Sequence, residues 1–158
     1  MDRFATATFP VEIRRRRHLC FVNVFDAGQA AEAREPHNAA IFDRLEREGI
    51  ESTMVVARER SLSFAVDGHD ASRLAPLLAD RDAVLCTRDR CTRIRVAFCG
   101  VARTPRVRDV VAAINDARID VIHVAADDGG VSVLVHDRDG FHAAAMVERY
   151  ALNALRSL

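Results

Sequence analysis

The chain has 158 residues, 49% of them hydrophobic, which is enough for one ordinary domain or two small ones with packed cores. Its 23 basic residues, all arginine, balance 23 acidic ones, so the zero net charge excludes a strong long-range attraction to nucleic acid or to an anionic membrane. No apolar run approaches the roughly 20 residues that span a bilayer, and the four cysteines have neither a CxxC pair nor a zinc-site spacing. We therefore expect a soluble, cytoplasmic protein with reduced thiols, no metal, no other cofactor, and no nucleic-acid or membrane partner.

Residues 1–17 form an N-terminal arm with a possible short strand, Thr8 to Ile13. The run Arg14 to Arg17 is the only local charge cluster of the chain. Because it leads directly into an apolar stretch, it favours an exposed approach to a strand or a subunit contact over a nucleic-acid patch. The stretch that follows, His18 to Phe25, is rich in β-branched and aromatic residues and predicts a buried strand.

A loop follows from Asp26 to Glu35, and a helix is predicted from Pro36 to Gly49. Proline suits a first helical turn because it has no N–H to lose there, and glycine suits a left-handed C-terminal cap. Glu51 to Ala57 predicts a second strand. The alternation around Phe64 predicts a third strand with one buried side.

Asp70 or Ser72 can cap a second helix that reaches Asp80, with Pro76 inside it, and Val84 to Thr87 predicts a short fourth strand. The order strand, helix, strand, strand, helix, strand is that of a ferredoxin-like βαββαβ module. We assign this first domain to residues 18–90.

A second copy of the same order occupies residues 91–158, and an offset of 69 residues relates its apolar positions to those of the first, as from Pro36 to Pro105 and from Leu45 to Ile114. The first copy has four more residues in its strand-to-helix loop, where insertions can carry function. The second copy lacks a last strand of its own, and the N-terminal arm is one geometric source of it. The predicted fold class is α+β, with two antiparallel sheets that each carry their helices on one face. The elements of the second copy are strand Ile94–Cys99, helix Pro105–Arg118, strand Asp120–Ala126, strand Val131–His136 and a helix from Gly140.

Two sets of segments resemble the ACT domains that regulate aspartokinases. The stretch from Val96 to Pro105, together with 110–124 and 131–135, is similar to the second of those domains, and 42–55 with 62–66 to the first. The resemblance covers roughly residues 18 to 150. It implies a non-catalytic regulatory module, similar to a free-standing regulatory subunit, that binds an amino acid or a related small molecule. It also implies a homodimer and a partner enzyme that the module regulates.

The resemblance places the ligand where the first strand meets the first helix and against the second strand. A helix N-terminus offers unpaired N–H groups to a carboxylate, and acidic or amide side chains can hold an ammonium group. Where the family has glycine near the helix starts, this chain has Pro36 and Pro105. The ligand-binding candidates are Asp26, Gln29, Glu35, His37, Asn38 and Thr53 in the first copy and Arg103 in the second.

A small enzyme on the same scaffold, acting on an amino-acid-derived substrate, is the alternative. His37, beside Glu35, would then be the general base. Cys20 and Cys86 are expected to be buried core residues. His136 and His142, which flank two aspartates, have no established metal-site spacing, so we predict no metal site.

Overall fold

The computed structural model describes residues 10–26, 34–78, 83–101 and 103–157. These residues form six β-strands and four α-helices that follow one another along the chain. In order they are β1 Val11–Asp26, α1 Arg34–Arg47, β2 Ser52–Ala57, β3 Ser61–Asp67, α2 Ala71–Leu78, β4 Ala83–Phe98, α3 Val107–Asp116, β5 His123–Asp127, β6 Gly130–His136 and α4 Gly140–Arg156.

The described residues divide into two compact units. The first unit is 17–92, and the second combines the described residues before Arg17 with those from Arg93 onward. Strands β1 and β4 therefore each contribute one end to each unit. Strand β1 contains a left-handed residue near this division, His18, and β4 contains another, Arg90. No helix among the described residues is long and apolar enough to cross a membrane.

In the first unit the strand order is β2-β3-β1-β4, and β3 pairs antiparallel with both β1 and β2. Helices α1 and α2 contribute Ile41, Leu45 and Leu74 to one core with the strands. Phe64 of β3 is fully buried in this core and meets Phe42 of α1 edge to face, with ring centroids 5.9 Å apart. The unit is the βαββαβ module that the sequence predicts.

In the second unit the order is β1-β4-β6-β5, so the N-terminal end of β1 takes the position that the fourth strand has in the first unit. Val11 and Ile13 of that segment pack against the core of α3, α4, β4 and β6. The backbone N–H of Cys99 donates to the carbonyl of Pro10 at 2.7 Å. The N-terminal arm therefore supplies the strand that the second copy lacks.

Strand lengths differ from the prediction. The expected strands Thr8–Ile13 and His18–Phe25 are joined into β1 through the arginine run, and residues 8 and 9 lie outside the described part. The expected strand Val84–Thr87 and residues 94–98 of the expected strand Ile94–Cys99 are likewise parts of the single strand β4, which ends at Phe98. Polar residues interrupt the apolar pattern of both stretches, but backbone pairing with a neighbouring strand does not depend on side-chain polarity.

Two features of the first unit also differ from the prediction. All five residues 62–66 are buried, including Ser63 and Ala65, so β3 does not have the single buried side that the alternation predicts. It lies between β2 and β1, and Oγ of Ser63 donates to Oδ1 of Asn23 in β1 at 3.3 Å. The chain before α2 makes a short 3₁₀ turn at 68–70, and the side chain of Asp67 caps it by accepting a hydrogen bond from the N–H of His69 at 3.0 Å. Helix α2 begins at Ala71, so Ser72 lies inside it and is not its cap.

The helix starts are shifted relative to the prolines. Helix α1 begins two residues before Pro36, and α3 begins two residues after Pro105. Proline fits any position of a first turn, because the N–H groups there have no partner within the helix. Pro36 therefore lies in the first turn of α1, as predicted, whereas Pro105 lies before α3, so the predicted start of that helix is two residues too early.

The C-terminus of α1 is closed by a glycine in a left-handed conformation, as predicted. Gly49 has φ +69°. The N–H of Ile50 donates to the carbonyl of Leu45 at 2.8 Å, and the N–H of Gly49 donates to that of Glu46 at 3.0 Å. This pair of bonds is the Schellman motif.

The second unit repeats that motif without a glycine. Arg118 has φ 59°, its N–H donates to the carbonyl of Asn115 at 2.8 Å, and the N–H of Ile119 donates to that of Ile114 at 3.4 Å. Arg118 stands 69 residues after Gly49, so the two units keep the same helix end even though the residue has changed.

Candidate functional site

The predicted site lies where β1 leads into α1. Strand β1 ends at Asp26, and α1 begins at Arg34, so Glu35, His37 and Asn38 are in the first turns of the helix. Asn38 is half-buried. Gln29 lies outside the described residues. The end of β1 and the start of α1 thus contain two acidic residues, Asp26 and Glu35, and two other polar residues, His37 and Asn38. The dipole of a helix favours a carboxylate at its N-terminus.

Thr53 lies near the start of β2. It pairs with Ala65 of β3, and Ala65 pairs with Phe21 of β1, so Thr53 is level with a residue five positions before Asp26. At about 3.3 Å per residue, that is roughly 17 Å along the strand. A β-bulge follows Thr53 at Met54, whose φ is 56°. Thr53 is therefore not level with the end of β1 at Asp26.

Arg103 precedes α3 in the second unit and is exposed. Its Nη1 donates to the main-chain carbonyl of Ala154, near the C-terminus of α4, at 3.1 Å. A cation at a helix C-terminus interacts favourably with the helix dipole and satisfies a carbonyl that has no partner in the helix. Arg103 thus makes a contact within the second unit, at a carbonyl that also accepts from Oγ of Ser157 at 3.2 Å.

The loop before α3 is built differently from the predicted helix start. Gly100 has φ +71°, and Pro105 is buried. Arg106 is the N-cap residue of α3, in an extended conformation, and its side chain makes no capping hydrogen bond. The carbonyl of Arg106 accepts from the N–H groups of Asp109 and Val110, both at 3.1 Å. The first turn of α3 therefore has no side-chain cap, and Asp109 is its acidic residue.

Two clefts were not predicted from the sequence. One of about 460 Å³ lies between the C-terminal parts of α1 and α2 and is lined by Arg44, Arg47, Glu48, Pro76 and Leu77. The other, of about 310 Å³, lies in the second unit between the N-terminal end of β1 and α4. No motif marks either one, because each is formed by residues that are distant along the chain.

Among the described residues, no three His, Cys, Asp or Glu side chains are grouped as metal ligands. Cys20 is buried, as expected, but Cys86 is exposed, and its predicted core position is wrong because it lies in the outermost strand of the first unit. Burial, and secondarily a hydrogen bond with Asp89, raises the pKa of Cys20 to about 12, so it is a protonated, unreactive thiol at neutral pH.

No family model matches the chain, and no curated protein matches it in sequence. Solved structures do match. The regulatory subunit of aspartate kinase from Thermus thermophilus superimposes with a TM-score of 0.70 at 17% identity, over 87% of this chain and 95% of that one.

Two complete enzymes contain the same fold. Aspartate kinase from Clostridium acetobutylicum matches with a TM-score of 0.75 at 12% identity, over 87% of this chain and 34% of that enzyme. Aspartokinase III from E. coli, in complex with lysine and aspartate, matches with a TM-score of 0.65 at 15% identity, over 89% of this chain and 32% of that enzyme. The chain therefore has the tandem ACT-type, ferredoxin-like fold that its sequence resembles.

Proposed function

We propose that the chain is a non-catalytic regulatory module that binds an amino acid or a similar small molecule. The observation that carries the proposal is the likeness to a regulatory subunit of aspartate kinase over 95% of that subunit's length. This chain matches about a third of the length of each of the two aspartate kinases that contain the same fold. We further propose that the two compact units act as the two ACT-like domains predicted at 18–90 and 91–158.

We place the ligand at the junction of β1 and α1 in the first unit. Asp26 and the first turns of α1 supply an acid for an ammonium group and a helix N-terminus for a carboxylate. Of the predicted residues, Asp26, Gln29, Glu35, His37 and Asn38 belong to this proposal. Thr53 is left out because of its register, and Arg103 because it caps α4.

Regulation by such a module requires that the ligand bind one of two states more tightly than the other. We propose that the second state is an altered association with a partner enzyme or with a second copy of the chain. We also propose that the protein acts in the cytoplasm, where its free thiols stay reduced.

A thermal-shift screen against the amino acids tests the ligand proposal, because a ligand at 100 times its Kd adds about 2.7 kcal/mol to stability. We expect a shift with one amino acid and no consumption of it by mass spectrometry. His37→Ala should abolish that shift. Arg106→Ala, at the equivalent position of the second unit 69 residues later, should keep it.

The alternative is a small enzyme that uses His37 as general base, assisted by Glu35. The two positions lie two apart in α1, and such positions do not face each other on a helix. Consumption of the ligand by the wild-type protein, lost in His37→Ala with the fold intact, would establish the enzyme and reject the regulatory module.

A further inference from the structure

The sheet of the second unit carries helices on one face, and its other face is rich in arginine. Helices α3 and α4 pack into a single core with Val11 and Ile13 of β1 and with Ile94 and Val96 of β4. Successive side chains of a strand point to opposite faces of the sheet. The residues between these core positions therefore lie on the second face, which we call the open face, and on β1 and β4 they are Glu12, Arg14, Arg16, Arg93 and Arg95.

The register of β1 against β4 follows from contacts at two points. At one end of the pairing, the N–H of Cys99 donates to the carbonyl of Pro10 at 2.7 Å. Ten residues further along β1 and ten residues back along β4, the thiol of Cys20 forms a hydrogen bond with the carboxyl of Asp89. The two strands are therefore antiparallel, and their register is the same at both points.

In this register the open face has two pairs of arginines whose members lie directly opposite each other. Arg14 of β1 lies opposite Arg95 of β4, and Arg16 lies opposite Arg93. The Cβ atoms of such a pair are about 5 Å apart, and like charges in these positions destabilise a sheet. The two pairs are separated by two residues along the strands, which is roughly 7 Å. Four guanidinium groups thus share a small area of one face.

Two carboxylates offset part of this charge. Arg14 forms an ion pair with Glu12, and Nη2 of Arg95 donates to Oδ1 of Asp127 at 2.9 Å. Glu12 and Asp127 are the acidic residues that the described strands place on the open face, so its four arginines exceed its acids by two. All of these arginines except Arg14 are half-buried. Their charges are therefore less well screened by water than those of fully exposed arginines.

The fold does not require arginine at these positions of β4. In the first unit β1 is the equivalent core strand, and its counterparts of Arg93 and Arg95 are Leu19 and Phe21, each one residue before a core position. Leu19 is fully buried and Phe21 is half-buried. Apolar side chains thus suit the same sheet, and the second unit instead has opposed charges of one sign. Such a local conflict is typical of a functional site, and an anionic ligand would relieve it.

We propose that the open face binds a linear oligophosphate through Arg14, Arg16, Arg93 and Arg95. One phosphate group lies between the two arginines of each pair, because its oxygens can accept hydrogen bonds from both guanidinium groups. A carboxylate has two acceptor oxygens, whereas a phosphate group has three, so the phosphate satisfies a pair of guanidinium groups better. The separation of roughly 7 Å between the pairs requires two phosphates in one molecule that are not adjacent, such as the end groups of a triphosphate.

The ligand chemistry is that of inorganic triphosphate and of the triphosphate group of a nucleotide. Isothermal titration calorimetry of the full chain with sodium triphosphate, at low ionic strength and without divalent cations, tests for it. We expect one triphosphate per chain, with weaker binding of pyrophosphate and still weaker binding of orthophosphate, which reaches only one arginine pair. ATP identifies the source: a Kd equal to that of triphosphate shows that the phosphates alone are recognised, and a lower Kd shows that the ligand is a nucleotide. Tighter binding of a peptide of alternating glutamate and serine would reject the oligophosphate.

Two adjacent arginines of β1 provide a matched pair of variants. Arg14→Gln removes one of the proposed ligands and should weaken triphosphate binding at least about tenfold. Arg15→Gln removes the same charge from the opposite face, where the guanidinium lies over the ring of Phe141 of α4 at 5.6 Å, and should leave the Kd within about twofold. Equal weakening by the two variants would reject the site, because it would show only a general attraction between charges.

A variant that gains affinity excludes unfolding as the explanation. Glu12→Gln removes one of the two carboxylates of the open face and should tighten triphosphate binding about threefold. Glu148→Gln, in α4 on the helix-bearing face, is its control and should leave the Kd unchanged. A wild-type protein that does not bind triphosphate, or a Glu12→Gln variant that binds no more tightly, would overturn the proposal. The proposed amino-acid site lies in the first unit, so either proposal can fail without the other.

Discussion

The guanidinium of Arg73 in α2 donates from Nη2 to the main-chain carbonyl of Glu48, at the end of α1, at 2.7 Å. The reverse contact is also made, because Nη1 of Arg44 in α1 donates to the carbonyl of Leu77 in α2 at 3.0 Å. Each of the two helices of the first unit thus has an arginine at the C-terminus of the other. Positive charge at a helix C-terminus is stabilising, and the orphan carbonyls gain partners.

We predict that Arg73→Ala lowers the free energy of unfolding by about 1 kcal/mol, since it removes hydrogen bonds to the carbonyl and carboxylate of Glu48 and to Asp70 at a half-exposed site. Urea denaturation measures the change. Arg108→Ala is the control and should be neutral, because the side chain of Arg108 is 87% exposed and its Nε lies as far as 3.8 Å from Oδ1 of Asp109. Equal effects of the two substitutions would reject a capping role for Arg73.

The two Schellman motifs give a matched pair of substitutions. Arg118→Gly should stabilise the protein by about 0.5 to 1 kcal/mol, because glycine adopts φ 59° without the steric cost that arginine carries. Gly49→Arg, its converse at the equivalent position, should destabilise by about 1 kcal/mol. Thermal unfolding of both variants measures the sign, and destabilisation by Arg118→Gly would contradict the steric argument.

Gly130 opens β6 where the backbone of β4 passes closely. A Cβ atom at this position would overlap the carbonyl oxygen of Val96, which is backbone and has little room to move. Gly130→Ala should therefore destabilise by about 1 to 3 kcal/mol. Gly129→Ala is the control, because its Cβ would meet the end of the flexible Arg95 side chain at 3.2 Å, and it should be nearly neutral.

Asp127 makes the stability of the folded protein depend on pH. Its hydrogen bond with Arg95, and then that with the N–H of Gly129, holds the pKa of its carboxyl below the usual value. A lowered folded-state pKa means that the stabilisation is present above the unfolded-state pKa, about 3.9, and is lost as the pH falls through the folded-state pKa. The side chain is 59% exposed, so the contribution is under about 1 kcal/mol.

Asp127→Asn should accordingly lower stability at pH 7 and have little effect at pH 2. Urea denaturation at both values measures the difference between the two proteins. A loss of stability that is the same at both pH values would show that the charge of Asp127 is not its cause.

The four cysteines differ in exposure, which alkylation can test. Cys86 and Cys99 are exposed, while Cys20 and Cys91 are fully buried, and burial raises the pKa of Cys20 to about 12. Iodoacetamide at pH 8 should modify Cys86 and Cys99 in the native protein and all four thiols in urea, as counted by mass spectrometry. The variant Cys86→Ser/Cys99→Ser should remain unmodified when native, and rapid labelling of its Cys20 would contradict the burial argument.

The candidate site was predictable only in part. The junction of β1 and α1 follows from local signals, because a β-rich stretch that ends at Asp26 and a helical period that begins near Pro36 can both be recognised along the chain. The position of Thr53 does not follow from them, since it depends on how β2 pairs with β3 and β3 with β1. The contact of Arg103 with Ala154 joins residues 51 positions apart, and no pattern in the sequence encodes it.

By itself, the sequence determined the element order, its duplication at an offset of 69 residues, and the helix end at Gly49, because hydrophobic period and left-handed turns are local properties of the chain. Only the tertiary structure decided that β1 and β4 are each one long strand, that Arg44 and Arg73 cap each other's helices, and that Val11 and Ile13 border an open cleft. Those features depend on contacts between distant residues, whose energies are set by the folded backbone and not by neighbours in the sequence.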